Sequence, residues 1–176
     1  MFNILRPLIF KFSPEVAHSL AIKALKLNNV PYSKPKDNHI LETNFCEKKL
    51  PSPIGVAAGF DKNAEVYNPL FNLGFGFVEV GTITPKPQFG NPKPRVFRLE
   101  EDEALINRLG FNNSGSDEIS KRIKENNKKG FLGINIGPNK DSTNRVEDYL
   151  ICFRKFYNLA DYITINTVSY THLRAH

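Results

Sequence analysis

Apolar residues near the start of the chain recur at the spacing of an α-helix. The first stripe consists of Phe2, Leu5, Leu8, Ile9 and Phe12. The second stripe consists of Val16, Leu20, Ala24 and Leu27. Ser13 precedes it as a predicted N-cap, with Pro14 and Glu15 in the first turn. Residues 1–38 are therefore predicted to form two short amphipathic helices and a proline-containing linker.

Beyond this region, continuous apolar runs alternate with segments of helical pattern. The runs predict strands over residues 54–59, 77–82, 131–137 and 162–166. The helices are predicted over residues 64–73, 116–127 and 146–159. Strands without apolar–polar alternation are typical of parallel sheets, because both of their faces are covered. The expected fold class is α/β, either a βα barrel or a doubly wound sheet.

One connection in this pattern is unusually long. Residues 83–115 separate the second strand from its helix and contain four prolines, with a hairpin predicted around residues 100–103. A connection of this length within a compact domain is usually functional.

Composition and charge exclude several function classes. The 176 residues suffice for one domain with an appendage. The net charge of +6 is not gathered into a stripe and no nucleic-acid-binding motif accompanies it, so nucleic acid is not an expected partner. Cys46 and Cys152 are isolated, and no metal site is predicted. The chain shows neither a signal peptide nor an apolar run of about 18 residues, the length that a transmembrane helix needs.

The N-terminal region allows two interpretations. Residues 1–38 carry six basic and two acidic side chains beside their apolar stripes. Amphipathic helices with phenylalanines and a positive rim can lie in a membrane interface. The alternative is a helical cap that packs on the main domain.

Polar residues or glycines follow each of the four predicted strands. They are Gly59, Asp61 and Lys62, then Gly81 and Thr82, then Asn135 and Gly137, and finally Asn166. Because the carboxyl ends of parallel strands meet at one edge of a sheet, we expect these residues to face a common pocket. An amide both donates and accepts in one plane, which matches the edge of a pyrimidine or a flavin. Lys62 suits an anionic group on the same ligand.

Several motifs carry a family resemblance. Residues 58–62 (AGFDK), 79–87 (EVGTITPKP), 107–113 (NRLGFNN), 133–137 (GINIG) and 148–151 (DYLI) resemble dihydroorotate dehydrogenase. The N-terminal helices, with SPEVAH at residues 13–18, resemble its membrane-associated, quinone-dependent class. The resemblance implies a (β/α)8 barrel that holds FMN and oxidises dihydroorotate to orotate in pyrimidine biosynthesis. Residues 39–166 then supply the first four βα units.

The resemblance also implies roles for individual residues. Those expected to bind the flavin are Ala58, Gly59, Phe60, Asp61, Lys62, Thr82, Asn135 and Asn166. Those expected to hold the substrate are Lys62, Asn107, Arg108, Leu109, Gly110, Phe111 and Asn166. His18 and Arg98 match polar residues beside the quinone entrance. The implied partners are dihydroorotate, a quinone and a membrane surface, and the implied location is peripheral, on the cytoplasmic face of the inner membrane.

The end of the chain departs from the family pattern. The family has a catalytic serine beyond the fourth strand, and Ser169 matches its position but lacks the expected Pro-Asn-Thr after it. Residues 167–176 look like a translated sequencing-adapter read-through, so we expect them to be non-native and the match of Ser169 to be a coincidence. The chain is then expected to be the N-terminal half of the enzyme and inactive alone.

Two other functions remain open at this point. The soluble class of the same family uses fumarate or a nicotinamide, but it begins close to the barrel and lacks the N-terminal helices. A non-catalytic alternative is a peripheral membrane-binding module on a partial α/β scaffold.

Overall fold

The computed structural model describes residues 2–27, 39–45 and 47–168 of the chain. Its helices are α1 (Phe2–Ile9), α2 (Pro14–Lys26), α3 (Tyr67–Asn72), α4 (Ser116–Glu125) and α5 (Arg145–Phe156). Its strands are β1 (Thr43–Phe45), β2 (Lys48–Leu50), β3 (Gly55–Val56), β4 (Phe77–Ile83), β5 (Val96–Leu99), β6 (Ala104–Asn107), β7 (Phe131–Ile136) and β8 (Tyr162–Ile165). A short 3-10 turn, His39–Leu41, precedes β1. The alternation of strand and helix predicted from the apolar pattern is confirmed.

The central sheet has four parallel strands in the order β3-β4-β7-β8. Each new strand is added at the same edge, so the order never reverses as it does at the switch point of a doubly wound sheet. This continuous winding is that of a βα barrel, which closes with eight strands. The described residues therefore form an α/β half-barrel.

Helices cover the outer face of the sheet and form the core. Val78, Val80, Leu132 and Ile134 are fully buried, and they share one apolar cluster with Ile119, Ile123, Cys152 and Phe156 of α4 and α5. These β-branched and aliphatic side chains explain why β4 and β7 read as continuous apolar runs.

The second N-terminal helix packs on this core, but not through the predicted stripe. Ile22 and Leu25 are buried in the core cluster, whereas Val16, Leu20 and Leu27 are exposed. The sequence pattern named only this outward stripe, whereas the residues that pack inward belong to a second apolar face of α2. Ser13 does stand at the N-cap, yet its side chain makes no capping hydrogen bond.

Several predicted boundaries also need correction. The strand predicted over 54–59 spans only Gly55–Val56, and the helix predicted from residue 64 begins at Tyr67. The reason is the Asp61 carboxylate, which accepts the backbone N–H groups of Glu65 and Val66 and holds this segment as a turn. At the other helices and strands, the predicted and observed ends differ by at most three residues, which is a common difference at element boundaries.

Two antiparallel hairpins complete the fold. The predicted hairpin in the long connection is confirmed as β5 and β6. The hairpin β1–β2 was not predicted. Phe45 of β1 packs against Phe77, Phe131 and Tyr162, which are the first residues of β4, β7 and β8. This hairpin therefore covers the amino-terminal end of the sheet and leaves the carboxyl end for the site.

Candidate functional site

The loop after β3 is tied to the end of β4. The N–H of Gly59 donates to the carbonyl of Gly81 at 2.8 Å, and the N–H of Gly81 donates to the carbonyl of Asp61 at 3.1 Å. Gly59 has φ 105°, a conformation that glycine adopts without strain. A Cβ at this position would meet no atom within 4 Å. The backbone of Gly59 therefore borders open space at the carboxyl end of the sheet.

Asp61 and Lys62 point in different directions from this loop. The Asp61 carboxylate is 1% exposed and accepts the N–H groups of Glu65 and Val66, each at 2.8 Å. Burial raises the pKa of Asp61, although these hydrogen bonds oppose the shift. Asp61 therefore contributes to the site through its backbone, while its side chain shapes the loop.

Lys62 lies in the open part of the site. Its ammonium donates to the carbonyl of Gly59 at 2.5 Å and lines a cleft of about 650 Å³. Burial lowers the pKa of Lys62, and the nearby guanidinium of Arg95 lowers it further. A half-buried ammonium near a second cation favours an anionic ligand, because the anion compensates both effects.

A hydrogen-bonded network joins the ends of the next three strands. The Asn166 amide nitrogen donates to the Thr82 hydroxyl at 2.9 Å, and this hydroxyl donates to the amide oxygen of Asn135 at 2.6 Å. Thr82 and Asn135 are buried. Direct contacts thus bring these three strand ends together, and that they face one pocket with Lys62 stays a prediction.

Glu79 anchors this network and was not singled out from the sequence. Its carboxylate accepts the Asn135 amide N–H at 2.8 Å, the Tyr162 hydroxyl at 3.0 Å and the Thr164 hydroxyl at 2.9 Å. The available signal was a charged residue in the middle of an otherwise apolar parallel strand. Such a residue is expected inside a barrel only where neighbouring strands supply donors.

The cleft beside Lys62 lies between α2, the loop after β3 and the β5–β6 hairpin. Six basic side chains line it, against three acidic ones. The basic residues are Lys23, Lys26, Lys62, Lys93, Arg95 and Arg98. The excess of positive charge favours an anionic ligand here.

The loop after β6 forms the opposite wall of the cleft, but only some of its residues line the cleft. Asn107 and Leu109 line the cleft. The Arg108 guanidinium is turned away and donates to the Pro94 carbonyl at 3.0 Å. The Gly110 carbonyl accepts the side-chain amide of Gln88 at 2.9 Å.

Phe111 connects this loop with the strand ends. A Cβ placed on Gly137 would lie 3.6 Å from a ring atom of Phe111 and 2.7 Å from the Thr82 methyl group. The Phe111 ring and the Thr82 methyl group therefore both lie beside Gly137, where a side chain would collide with the threonine.

His18 and Arg98 both lie on the side of the cleft that faces the N-terminal helices. The His18 Nε2 donates to the Phe60 carbonyl at 2.7 Å, and burial, followed by the charge of Lys62, lowers the pKa of His18. Arg98 donates to the carbonyl groups of Phe10 and Phe12 and lies over the Phe10 ring at 4.5 Å. Both residues thus join the helices to the site.

Two of the residues considered from the sequence, Ser169 and Cys46, lie outside the described residues. Within the described ranges, His, Cys, Asp and Glu side chains form no group of three or more that could hold a metal ion.

Comparison with known proteins adds the family. A sequence model described as dihydroorotate dehydrogenase matches residues 40–172, most of the chain. The chain belongs to the dihydroorotate dehydrogenase family.

Relatives within this family are closely similar. The chain is 51% identical to the dihydroorotate dehydrogenase (quinone) of Bartonella henselae over 93% of this chain and 45% of the relative. It is 51% identical to the mitochondrial dihydroorotate dehydrogenase (quinone) of Cyclocybe aegerita over 93% and 50% of the two chains. The ligand-free structure of the Eimeria tenella enzyme superposes with a TM-score of 0.83 at 43% identity, covering 88% of this chain and 45% of that one. The chain spans about half the length of the curated relatives it matches.

The site suits the flavin of this family, FMN. Each asparagine amide nitrogen carries two N–H groups, and Asn135 and Asn166 each use one within the network. The second N–H of each amide can donate to a carbonyl group of a planar ring. The open space beside Gly59 gives that ring close access to the backbone.

Proposed function

We propose that this chain supplies the flavin and substrate walls of a quinone-linked dihydroorotate dehydrogenase, which oxidises dihydroorotate to orotate in pyrimidine biosynthesis. The observation that supports it is the bond between the loop that carries Lys62 and the strand ends: the N–H of Gly59 donates to the Gly81 carbonyl, and the next residue, Thr82, is bonded to Asn135 and Asn166. An ammonium for a carboxylate and amides for a planar heterocycle stand at one end of one sheet. The soluble class of the family is not favoured, because α2 is an integral part of the cleft.

The residues of the chain have separable tasks in this reaction. Lys62 binds the substrate carboxylate, and Asn107 orients the ring from the opposite wall. Thr82, Asn135 and Asn166 hold the flavin at the strand ends. When bound, FMN would supply the acceptor for a hydride from one substrate carbon, and a base would be needed for the proton of the neighbouring carbon. The family's base is a serine beyond the fourth strand, and because the match of Ser169 to that position is expected to be a coincidence, we assign the base to no residue of this chain.

Activity is tested on a completed barrel. A chimera joins residues 1–166 of this chain to the part of a curated relative that follows its matching region. We expect the chimera to bind FMN, to oxidise dihydroorotate and to reduce a quinone rather than fumarate.

Thr82→Val in the chimera removes the hydroxyl that bridges the two amides and keeps the side-chain volume. We expect FMN affinity to fall about tenfold, since a lost hydrogen bond in such a network costs roughly 1–2 kcal/mol. Thr143→Val, in a surface loop near the start of α5, is the matched control. Full FMN affinity in Thr82→Val, or fumarate as the better acceptor, would contradict the proposal.

We also propose that the exposed side of the N-terminal helices binds a membrane surface, at the cytoplasmic face of the inner membrane. Leu8, Phe12, Leu20 and Leu27 are between 43% and 68% exposed. Arg6 on α1 and Lys11 in the turn before α2 supply positive charge beside this apolar surface. In the described part of the chain no helix is both long and apolar enough to cross a membrane.

The membrane contact is tested by co-sedimentation with anionic liposomes. Leu27→Glu should lower the partition coefficient about tenfold or more, because burying one leucine is worth roughly 1.5–3 kcal/mol. Val146→Glu on α5 is the matched control, since Val146 and Leu27 are both 68% exposed. Equal losses in the two variants would show that the binding is not specific to the helices.

A further inference from the structure

Helix α2 faces the site with two polar side chains that lie one helical turn apart, Glu15 and His18. Neither is part of the strand ends, yet each contacts a different wall of the cleft. Glu15 reaches Arg95 in the long connection, and His18 reaches Phe60 in the loop after β3.

The contact of Glu15 with Arg95 is charged and largely buried. The Glu15 carboxylate accepts from Nε of Arg95 at 3.0 Å and from Nη2 at 2.9 Å. The side chain of Arg95 is 8% exposed and that of Glu15 is 21% exposed. A guanidinium held this way has a fixed orientation, because both nitrogens of one edge are used.

The remaining nitrogen of Arg95 donates hydrogen bonds to backbone carbonyl groups of the opposite wall. Its Nη1 donates to the carbonyl groups of Phe89 at 2.7 Å and Asn91 at 3.0 Å, with a longer contact to Leu109 at 3.5 Å. The backbone continues this link, since the N–H of Arg108 donates to the Arg95 carbonyl at 2.8 Å. The substrate wall at residues 107–111 is thus bonded to Arg95, and Arg95 to α2.

His18 makes the corresponding contact with the flavin wall. A carbonyl oxygen only accepts, so the proton of the neutral ring stands on Nε2 and points at the Phe60 carbonyl. The His18 ring also meets the Phe60 ring edge to face, with centroids 5.3 Å apart. The peptide group that follows Phe60 leads directly to Asp61 and Lys62.

We propose that α2 is a positioning element for both walls: His18 sets the loop of residues 59–62 directly, and Glu15 sets the loop of residues 107–111 through Arg95. The names of the two walls rest on the proposed function, whereas the positioning itself concerns the chain alone. Removing either side chain should loosen its own wall and leave the other in place.

Amide hydrogen exchange at single-residue resolution tests this selectivity. The reporters for the flavin wall are the N–H groups of Gly59 and Gly81, and those for the substrate wall are the N–H groups of Asn91 and Arg108. Glu15→Ala should speed exchange at Asn91 and Arg108 about fivefold or more and leave Gly59 and Gly81 unchanged. His18→Phe keeps the aromatic contact but loses the donor. It should speed exchange at Gly59 and Gly81 and leave Asn91 and Arg108 unchanged.

The exchange is measured on the 176-residue chain and in parallel on the chimera, where the barrel is completed. Glu125→Ala is the control, since the Glu125 side chain is 61% exposed on α4, away from both walls. Glu15→Gln, which keeps an acceptor oxygen but not the charge, should speed exchange at the substrate wall less than Glu15→Ala does. This milder variant decides the outcome if Glu15→Ala does not fold.

Two results would overturn the positioning role. One is equal acceleration at both walls in both variants, which is what a merely structural helix would give. The other is unchanged exchange at both walls in the folded variants. The measurement needs neither flavin nor substrate, so a chimera that binds no FMN but shows the selective pattern would refute the proposed function and leave the positioning role intact.

Discussion

Glu79 shows how single side chains set the geometry of the strand ends. Its two carboxylate oxygens accept three donors from β7 and β8, and one of these donors is the amide of Asn135. That amide is then oriented with its oxygen toward Thr82. The orientation of the amides that are proposed to meet the flavin therefore depends on a residue that need not contact it.

Replacing Glu79 with glutamine tests this dependence. Glu79→Gln exchanges one acceptor oxygen for an N–H₂ group and removes the negative charge, so the Asn135 amide faces a donor or the two hydroxyls must turn to accept, and all three charge-assisted bonds are lost. We expect a loss of about 1–3 kcal/mol in the free energy of unfolding, measured by urea denaturation of the chimera. Glu125→Gln, at an exposed position, should change it by less than about 0.5 kcal/mol. An unchanged midpoint in Glu79→Gln would show that the network does not hold the strand ends.

Lys62→Met tests the predicted anion contact. Losing a charged hydrogen bond costs about 1.5–3 kcal/mol, so orotate should bind roughly 10- to 100-fold more weakly to the FMN-loaded chimera. In the unsubstituted chimera, orotate affinity should fall as the pH rises through the lowered pKa of Lys62, below the range where an exposed lysine titrates. Isothermal titration across pH measures both effects, with Lys121→Met as the control. A pH profile that Lys62→Met leaves unchanged would contradict the assignment.

At the scale of elements, α2 combines two apolar faces with a polar edge. Ile22 and Leu25 dock on the core, Val16 and Leu20 face outward, and Glu15 and His18 reach the two walls. The two interpretations left open by the sequence are therefore compatible. The helix is a cap packed on the main domain, and it leaves an apolar surface exposed, as the proposed membrane contact requires.

The docking of α2 should depend on pH through His18. Because burial and Lys62 lower the pKa of His18 in the folded chain, the unfolded chain binds the proton more readily. Stability should therefore fall as the pH drops below about 6.5, the ordinary pKa of histidine, toward the lower pKa of the folded state. His18→Phe should lose less stability over this range than the unsubstituted chain, as measured by thermal unfolding. Ser19→Ala, on the exposed side of α2, should keep the original dependence, and an identical slope in His18→Phe would refute the link.

At the scale of the whole molecule, the described chain is an open structure. The sheet ends in β3 on one side and β8 on the other, and a helical stripe on α5 is exposed. The stripe consists of Val146, Leu150, Phe153 and Tyr157. In a closed (β/α)8 barrel, strand edges pair and such a helix face packs against the next βα unit.

We therefore expect residues 1–176 alone to bind a dye specific for exposed apolar surface and to show no oxidation of dihydroorotate. The chimera should bind several-fold less dye and be active. The physical reason is that an open sheet exposes apolar area. The part of the substrate site that the other four βα units supply is also absent. Fluorescence titration and a quinone-coupled assay measure the two effects. A soluble, yellow, dihydroorotate-oxidising protein made of residues 1–176 alone would contradict this expectation.

Much of the fold followed from local patterns, and the misses have physical causes. The apolar runs of β4 and β7 were predictable because burial on both faces leaves a continuous signal. The hairpin β1–β2 was missed because strands of three residues carry too short a pattern, and Phe45 is recognisable as part of the fold only through its contacts with Phe77 and Tyr162. The strand predicted over residues 54–59 was too long, because its apolar run continues past Val56, where the pairing of β3 with β4 ends.

The sequence by itself determined the order of strands and helices, the chemical groups at the strand ends and the family to which they belong. These depend on residue types and spacing, which are written along the chain. Only the tertiary structure decided which face of α2 packs inward, that Glu79 anchors Asn135, and that Glu15 and Arg95 meet. Each of these depends on contacts between residues far apart in the chain, and a local sequence pattern does not show which distant residues come together.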